Sequence, residues 1–415
     1  MNEPPVSLAP LTGVRNALLP DGRMVDLAFT DGVVTAVTAA SPPSGGSAGA
    51  TLDLDGRLLL PAGVEPHTHL DKALSFDVIR PTYGGLADGI RQWQAYARTI
   101  GEDDFVRRGT AAALELLSNG VTAIRTHAEV FASDDPLVSV RALVRVREDL
   151  AGLLDLEIAV LAKPDVADDV VEEAIRLGAD LVGGSPHNTA DPQADLARLL
   201  AIARRTGVGI DIHADERLDP TSLTVRDLAA AVTREPLPGT VTAGHCVSLG
   251  VVAEPLRSTV AAELAAAGVG VVTCPVTNLY LQGRDHPVGM PRGLTATRAL
   301  LDAGVTLAGA GDNIRDPLNP VGAADALATA ALLVAAGHLT AEEALDAVTS
   351  SGRAVMGLRP AGAFLGGAAD FLAVRASTVD EAVSRLMHDR VVIHAGALVS
   401  RRTSELSIAF PPSVG

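Results

Sequence analysis

The sequence predicts an α/β fold: a (β/α)8 TIM barrel carrying a small β domain built from both ends of the chain. Three observations lead there. From about residue 61, eight apolar strand-like runs of roughly 5–8 residues alternate with helical patterns of roughly 12–20. The runs are continuously apolar rather than alternating, as parallel strands buried on both faces must be, and parallel strands need helical crossovers. A doubly wound open sheet is the rival, but no G-x-G-x-x-G follows an early strand.

In chain order, the first 60 residues alternate short β-branched runs with turn clusters. Asp26–Thr30, Val33–Val37 and Thr51–Leu54 read as strands, separated by Asp31-Gly32 and the loop Ser41–Ala50. The barrel strands are the run ending at His67, then Val121–Ile124, Glu157–Leu161, Asp180–Gly183, Val208–Ile212, Thr240–Ala243, Val269–Thr273 and Val305–Ala308. Helices fall between them at Phe105–Asn119, Val170–Leu177, Gln193–Arg205, Pro255–Ala267 and Ala296–Ala303. Several end in glycine, the residue that most easily closes a helix in the left-handed conformation. After residue 358 strand patterns return at Phe371–Val374, Arg390–His394 and Ala397–Val399. The organisation is therefore a small β domain of 1–60 with 359–415, bracketing a barrel of 61–358. No repeat and no longer low-complexity tract interrupts it.

Composition excludes several functions. The chain has 415 residues, 50 acidic and 33 basic, for a net charge of −17. A negative field repels nucleic acid and anionic membrane, so neither is expected as a partner. Two cysteines, Cys246 and Cys274, are too few for a disulfide framework and point to the cytoplasm. The opening MNEPPVSLAP lacks the basic and apolar regions of a signal peptide. No apolar run reaches the ~20 residues of a membrane span, and the longest, around Ala326–Ala336, reads as a buried helix. Of the 33 basic residues only Lys72 and Lys163 are lysine.

A barrel of this kind builds its active site from the C-terminal ends of its strands. The first strand ends in Glu65-Pro66-His67-Thr68-His69. Alternation puts His67 and His69 on one side, able to reach one ion. The fifth ends in Asp211-Ile212-His213-Ala214-Asp215-Glu216, the sixth in Gly244-His245 and the eighth in Gly311-Asp312-Asn313. Three or four imidazoles with one carboxylate suit Zn²⁺ or Fe²⁺ and leave a position for water. Unpaired polar groups are costly where parallel strands are buried, which makes the joint pattern specific although each piece alone is weak. Glu216, three residues after His213, can face the open position and move a proton between water and a leaving or ring nitrogen. His286, His338, His388 and His394 lie in loops, a helix or the terminal β region and read as structural or surface residues. His127 and His187, at the ends of strands two and four, are open between pocket residues and partners of the ligands. His127-Ala128-Glu129 also matches the H-x-E of the deaminases acting on nucleosides and nucleic acids. That family needs P-C-x-x-C, and Cys274 stands alone in Thr273-Cys274-Pro275.

The chain resembles the amidohydrolase superfamily, and within it the bacterial cytosine deaminase family, nearly end to end. The resemblance rests on VEPHTHLDK (64–72), RTHAEV (125–130), LGADLVGGSPH (177–187), DIHADE (211–216), TAGHCVSLG (242–250), PVTNLYLQGR (275–284), RGLTATRALLDAGV (292–305) and GDNIRDPLNPVG (311–322). It implies that the small domain is a β-sandwich and that one divalent ion per subunit, Zn²⁺ or Fe²⁺, is held by His67, His69, His213 and Asp312. It further implies that Glu216 shuttles the proton, and that His245 holds the attacking water and stabilises the developing oxyanion. Strand four ends in Ser185-Pro186-His187, without the bridging lysine of two-metal relatives, so a mononuclear site is expected. Relatives assemble as homo-oligomers.

The departures concern substrate. Where the cytosine-specific pattern has Phe-Pro-Gln, this chain has Ala162-Lys163-Pro164-Asp165, so Lys163 or Asp165 takes the place of the reading amide. An amide donates and accepts; neither ionised replacement does both. Asn313 and Leu318 replace a second aspartate and an aromatic. Lys72, Lys163, Asp165, His187, Asn313 and Leu318 are thus the candidate substrate residues, with at least one lysine expected to meet an anionic or carbonyl-rich part of the substrate. The expected activity is hydrolytic deamination of a cyclic amidine, cytosine or a related pyrimidine or triazine, by metal-activated water with release of ammonia. The alternatives are removal of a substituted amine from a triazine-type ring, opening of a cyclic amide, or a non-catalytic scaffold, which would have eroded ligands.

Overall fold

A computed structural model describes residues 6–40, 50–405 and 407–409. Residues 41–49 of the expected Ser41–Ala50 loop lie outside them. Eight parallel strands, Gly63–Thr68, Val121–Val130, Asp155–Ala162, Leu181–Gly184, Gly209–Ala214, Val241–His245, Gly270–Thr273 and Leu307–Gly309, pair in chain order. The ends approach through a parallel bridge between Thr68 and Asp312, backed by the Thr68 hydroxyl donating to the Asp312 carbonyl at 2.6 Å. The barrel therefore closes at its candidate metal ligands.

The helix Pro192–Thr206 shows why these segments fold as they do. The Asp191 carboxylate accepts from the Ala194 N–H, Pro192 takes the first position, and Gly207 ends the helix at φ 74°. Its buried face includes Leu196, Leu199, Leu200 and Ala203, spaced as one stripe of a 3.6-residue period. Each such leucine contributes about 1.5–3 kcal/mol by leaving water. Leu199 lies so close to Gly184 that a Cβ there would stand 2.6 Å from its Cδ1. The Ala326–Gly337 helix, apolar nearly all round, buries one face at Ala326, Leu327, Thr329, Ala330 and Leu333.

Two differences from expectation matter for the site. The second strand runs on to Val130, which puts His127 and Glu129 inside the barrel wall. A helix at Leu86–Ala97, absent from the strand–helix alternation, sits over the mouth and supplies Leu86 and Ile90 to the pocket.

The other nine strands form one sheet: Ser7–Pro10, Gly13–Leu18, Met24–Thr30, Val33–Ala39, Thr51–Asp53 and Leu58–Pro61 from the first segment; Phe371–Val374, Arg390–His394 and Ala397–Arg402 from the last. The two segments join where Leu58–Pro61 pairs antiparallel with Phe371–Val374. Val14, Leu27, Phe29, Leu59, Phe371 and Ile393 share its core. Buried Arg390 clamps this sheet to the barrel, donating to both Asp325 oxygens at 2.9 and 2.7 Å. Nearby, His394 Nδ1 lies 3.0 Å from Asp370 Oδ1, and Arg353 Nη1 2.9 Å from Asp370 Oδ2. No described helix is long and apolar enough to cross a membrane.

Candidate metal centre and active site

The Nε2 atoms of His67 and His69 each approach that of His213, at 3.2 and 3.1 Å. His213 Nε2 carries either one proton or one lone pair and cannot make full hydrogen bonds to both partners, whereas N···N separations a little above 3 Å suit nitrogens about 2.0–2.1 Å from one Zn²⁺-sized ion. Asp312 Oδ1 lies 3.3 Å from His69 Nε2 and 4.0 Å from His67 Nε2, is buried, and has no hydrogen-bond partner. A buried carboxylate oxygen left orphaned at the focus of three imidazoles is what a cation would satisfy. Burial holds the His67 imidazole down to about 4 and those of His69 and His213 far below their usual value, so all are in the neutral, ligating form. Burial, with Glu216, Asp316 and Glu65 nearby, pushes Asp312 well above the carboxylate range, a cost that a divalent cation reverses. The residues fit the ion.

The surroundings aim these ligands. Asp312 and His245 both occupy left-handed backbone, at φ 65° and 68°, strain of the kind tolerated at functional sites. Buried Glu65 fixes the Asp312 turn by accepting from the Gly311 N–H at 2.8 and 3.0 Å. His67 Nδ1 lies 3.1 Å from His127 Nε2. With His67 Nε2 toward the focus, its Nδ1–H donates to His127. Behind them Asp211 is held by Arg125 Nη1 at 2.7 Å, and Arg125 Nε meets Glu157 at 2.6 Å. His187 Nδ1 donates to the His213 carbonyl at 2.9 Å.

Glu216 and His245 face the same pocket, with His245 Nδ1 3.7 Å from Glu216 Oε1. Burial raises Glu216 to about 8, against the pull of Lys163 and Arg217. That places it where a proton can be both taken and returned near neutral pH. Asn278 Nδ2 donates to His245 Nδ1 at 3.1 Å and lies 3.5 Å from Glu216 Oε1. The imidazole thus keeps its proton on Nε2, which has no partner among the described groups and is free to donate. Cys274 falls within reach of His67, His245 and Asp312, but burial keeps its thiol protonated and so a poor ligand.

A model of the amidohydrolase family matches residues 99–399. The chain belongs to that family. Among curated amidohydrolases it is 31% identical to the pterin deaminase of Rhizobium rhizogenes, over 96% of this chain and 92% of that protein. Among solved structures, 5-methylcytosine deaminase from Klebsiella pneumoniae superposes with a TM-score of 0.87 at 30% identity, covering 96% of this chain and 100% of that one. N-isopropylammelide isopropylaminohydrolase from Burkholderia multivorans gives a TM-score of 0.80 at 29% identity, covering 94% and 98%. Amidohydrolases of this kind depend on a divalent metal and act on small N-heterocycles.

The pocket wall brings together Lys72, Lys163, Asn313 and Leu318 of the expected substrate residues. Asn313 Nδ2 donates to buried Asp316 at 2.7 Å, and Leu318 seats against Gly89 of the mouth helix. Asp165 is not brought in. After Lys163 the chain turns out of the strand, with the Val166 N–H donating to the Lys163 carbonyl, and Asp165 is exposed. Of the two, only Lys163 lines the pocket. His187 is a correction too: it sits beneath His213 and does not line the pocket. Lys72 lines it but is 2% exposed, paired with Glu129 Oε2 at 3.1 Å and packed against His69, whose Nδ1 is also 3.1 Å away. Glu65, Asp211, Glu129 and Asn278 were present in the quoted motifs without an assigned role. Only their polarity inside apolar strands or helices signalled them.

Proposed function

We propose that this amidohydrolase is a hydrolytic deaminase of an amino-substituted N-heterocycle carrying a ring oxo group, with one zinc or iron ion per subunit. The observation that carries the reading is the convergence of His67, His69, His213 and the orphaned Asp312 oxygen beside Glu216 and His245. A divalent ion there supplies Lewis acidity that makes water easier to deprotonate. Glu216 takes a proton from the attacking water and returns it to the ring nitrogen next to the amino-bearing carbon. His245 Nε2–H donates to the oxygen on which charge develops. The new C–O bond forms, the water's remaining proton passes from the new hydroxyl to the exocyclic nitrogen, the C–N bond breaks as the carbonyl forms, and ammonia leaves. Lys163, at the pocket edge, donates to a ring oxygen.

The similarity to pterin and 5-methylcytosine deaminases supports aminopyrimidine or pterin-type rings. The likeness to N-isopropylammelide isopropylaminohydrolase favours a second reading, in which a substituted amine leaves instead of ammonia. All six machinery residues are present and close together, which speaks against a non-catalytic scaffold. A homo-oligomer and a cytoplasmic location belong to the same proposal, the latter because both cysteines are buried and free. The test is release of ammonia or amine by the metal-loaded protein from aminopyrimidines, aminotriazines and pterins, with lactam opening followed by loss of the lactam itself. Turnover of one class assigns the substrate, and no release from any of them overturns the reading.

A further inference from the structure

We propose that Glu129 is the positioning residue that sets this pocket's specificity: it turns one of the chain's two lysines inward and holds the other over the pocket as a fixed cation for a ring oxo group. The inference rests on the deaminase reading above and names the substrate edge that Lys163 meets. Glu129 lies in the second barrel strand, 3% exposed, with its main chain pinned on both sides. Its N–H donates to Asp71 Oδ2 at 3.0 Å, and its carbonyl accepts from Ser139 Oγ at 2.8 Å. One carboxylate oxygen meets Lys72 Nζ at 3.1 Å; the other meets Lys163 Nζ at 3.1 Å and the Gln94 amide at 2.9 Å.

The two lysines are not equivalent. Lys72 Nζ pairs with Glu129 at 3.1 Å, lies 3.7 Å from Asp71 and is closed off by the His69 ring, whose Nδ1 stands 3.1 Å away, leaving the side chain 3% exposed. It also lies 5.9 Å from the Trp93 ring centroid. Nothing remains for a ligand. Lys163 keeps 18% of its side chain exposed and has one ion-pair partner among the described residues, Glu129, so two of its N–H directions are available. Lys72, Asp71, Glu129 and Lys163 sum to zero charge, which lets a cation stand at the edge of a small pocket whose apolar wall is Leu86, Ile90, Leu161, Leu281 and Leu318. An ammonium only donates. It rewards an oxo oxygen or its anion and repels or leaves unpaired an exocyclic amino group at the same edge, whereas an amide would tolerate either.

The test compares two probe pairs that differ only at that edge: cytosine against 2,4-diaminopyrimidine, and pterin against 2,4-diaminopteridine. Wild type is expected to prefer the oxo member of at least one pair by about 100-fold or more in kcat/KM. Glu129→Gln and Lys163→Met are each expected to raise KM for that member by about 10- to 100-fold, with kcat changed much less. Both should compress the preference below about tenfold, retain metal, and give a double variant no worse than Lys163→Met alone. If Glu129→Gln fails to fold, Glu129→Asp keeps the charge but draws Lys163 back, and the same rise in KM is expected. Wild-type KM and preference in a folded Glu129 variant, or additive losses in the double variant, overturn the inference. So does a fall in kcat alone. Calorimetric binding of the same probes separates this inference from the deaminase reading. Oxo-selective binding without turnover sinks the reaction and leaves the edge assignment standing; turnover without selectivity, or binding of none of the probes, sinks the assignment.

Discussion

Gly244→Ala would test the metal centre through packing alone. Gly244 lies in the strand Val241–His245, next to His245, in backbone that alanine adopts without strain. Were there room, the substitution would stabilise the protein by about 0.4–1 kcal/mol by restricting the unfolded chain. There is no room: a Cβ would stand 2.6 Å from His67 Cε1 and 2.8 Å from its Nδ1. Ordinary contact begins near 3.5 Å, so the imidazole would have to retreat by about 1 Å. His67 is fully buried, and behind it stands the His127 ring, 4.2 Å away between centroids. Overpacking of this kind costs about 1–3 kcal/mol. The methyl pushes against the ligating pose of His67, so that cost falls on metal binding, a weakening of roughly 5- to 150-fold. Chelator competition followed by mass-spectrometric metal analysis reads the affinity, and circular dichroism checks the fold. A folded variant that keeps the wild-type metal content and chelator midpoint would refute the assignment of His67.

Three further outcomes are expected. Glu216→Gln should lose about 10²- to 10⁴-fold in kcat while keeping its metal, because only proton transfer is removed; steady-state rates beside metal content check this. Asn278→Ala frees His245 Nδ1, and kcat should fall about 10- to 100-fold with little change in KM; a fall confined to KM would contradict the His245 orientation. Finally, His394 is held above its usual value: burial would lower it, but the hydrogen bond and charge of Asp370, with Asp155, outweigh that. A raised folded pKa means the stabilisation is fully present below the unfolded value of about 6.5 and is lost as pH rises through the folded one. The thermal midpoint of His394→Gln should therefore trail wild type most in mild acid and converge with it at alkaline pH. A gap that does not vary with pH would contradict the Asp370 pair.

Where sequence reasoning missed, the reason is local. The Leu86–Ala97 helix belongs to no β/α repeat, so the alternation that located the other elements could not place it. The apolar run predicts strand two over Val121–Ile124, yet the strand continues through Arg125, His127 and Glu129, which are buried with partners supplied by other elements. Polar residues within buried strands become interpretable only once those partners are in place.

The sequence by itself determined the architecture and marked the candidate metal ligands. Apolar runs of fixed period specify the barrel, and an imidazole or carboxylate at the end of such a run stands out by its residue type before its neighbours are known. Tertiary structure alone decided the substrate wall. Whether Lys163 or Asp165 faces the pocket depends on a turn, and whether Lys72 is open to it or braced depends on Glu129 and His69, which lie 57 residues after it and three before it in the sequence. Side-chain direction at a pocket edge is set by contacts across the barrel, and those exist only in the folded chain.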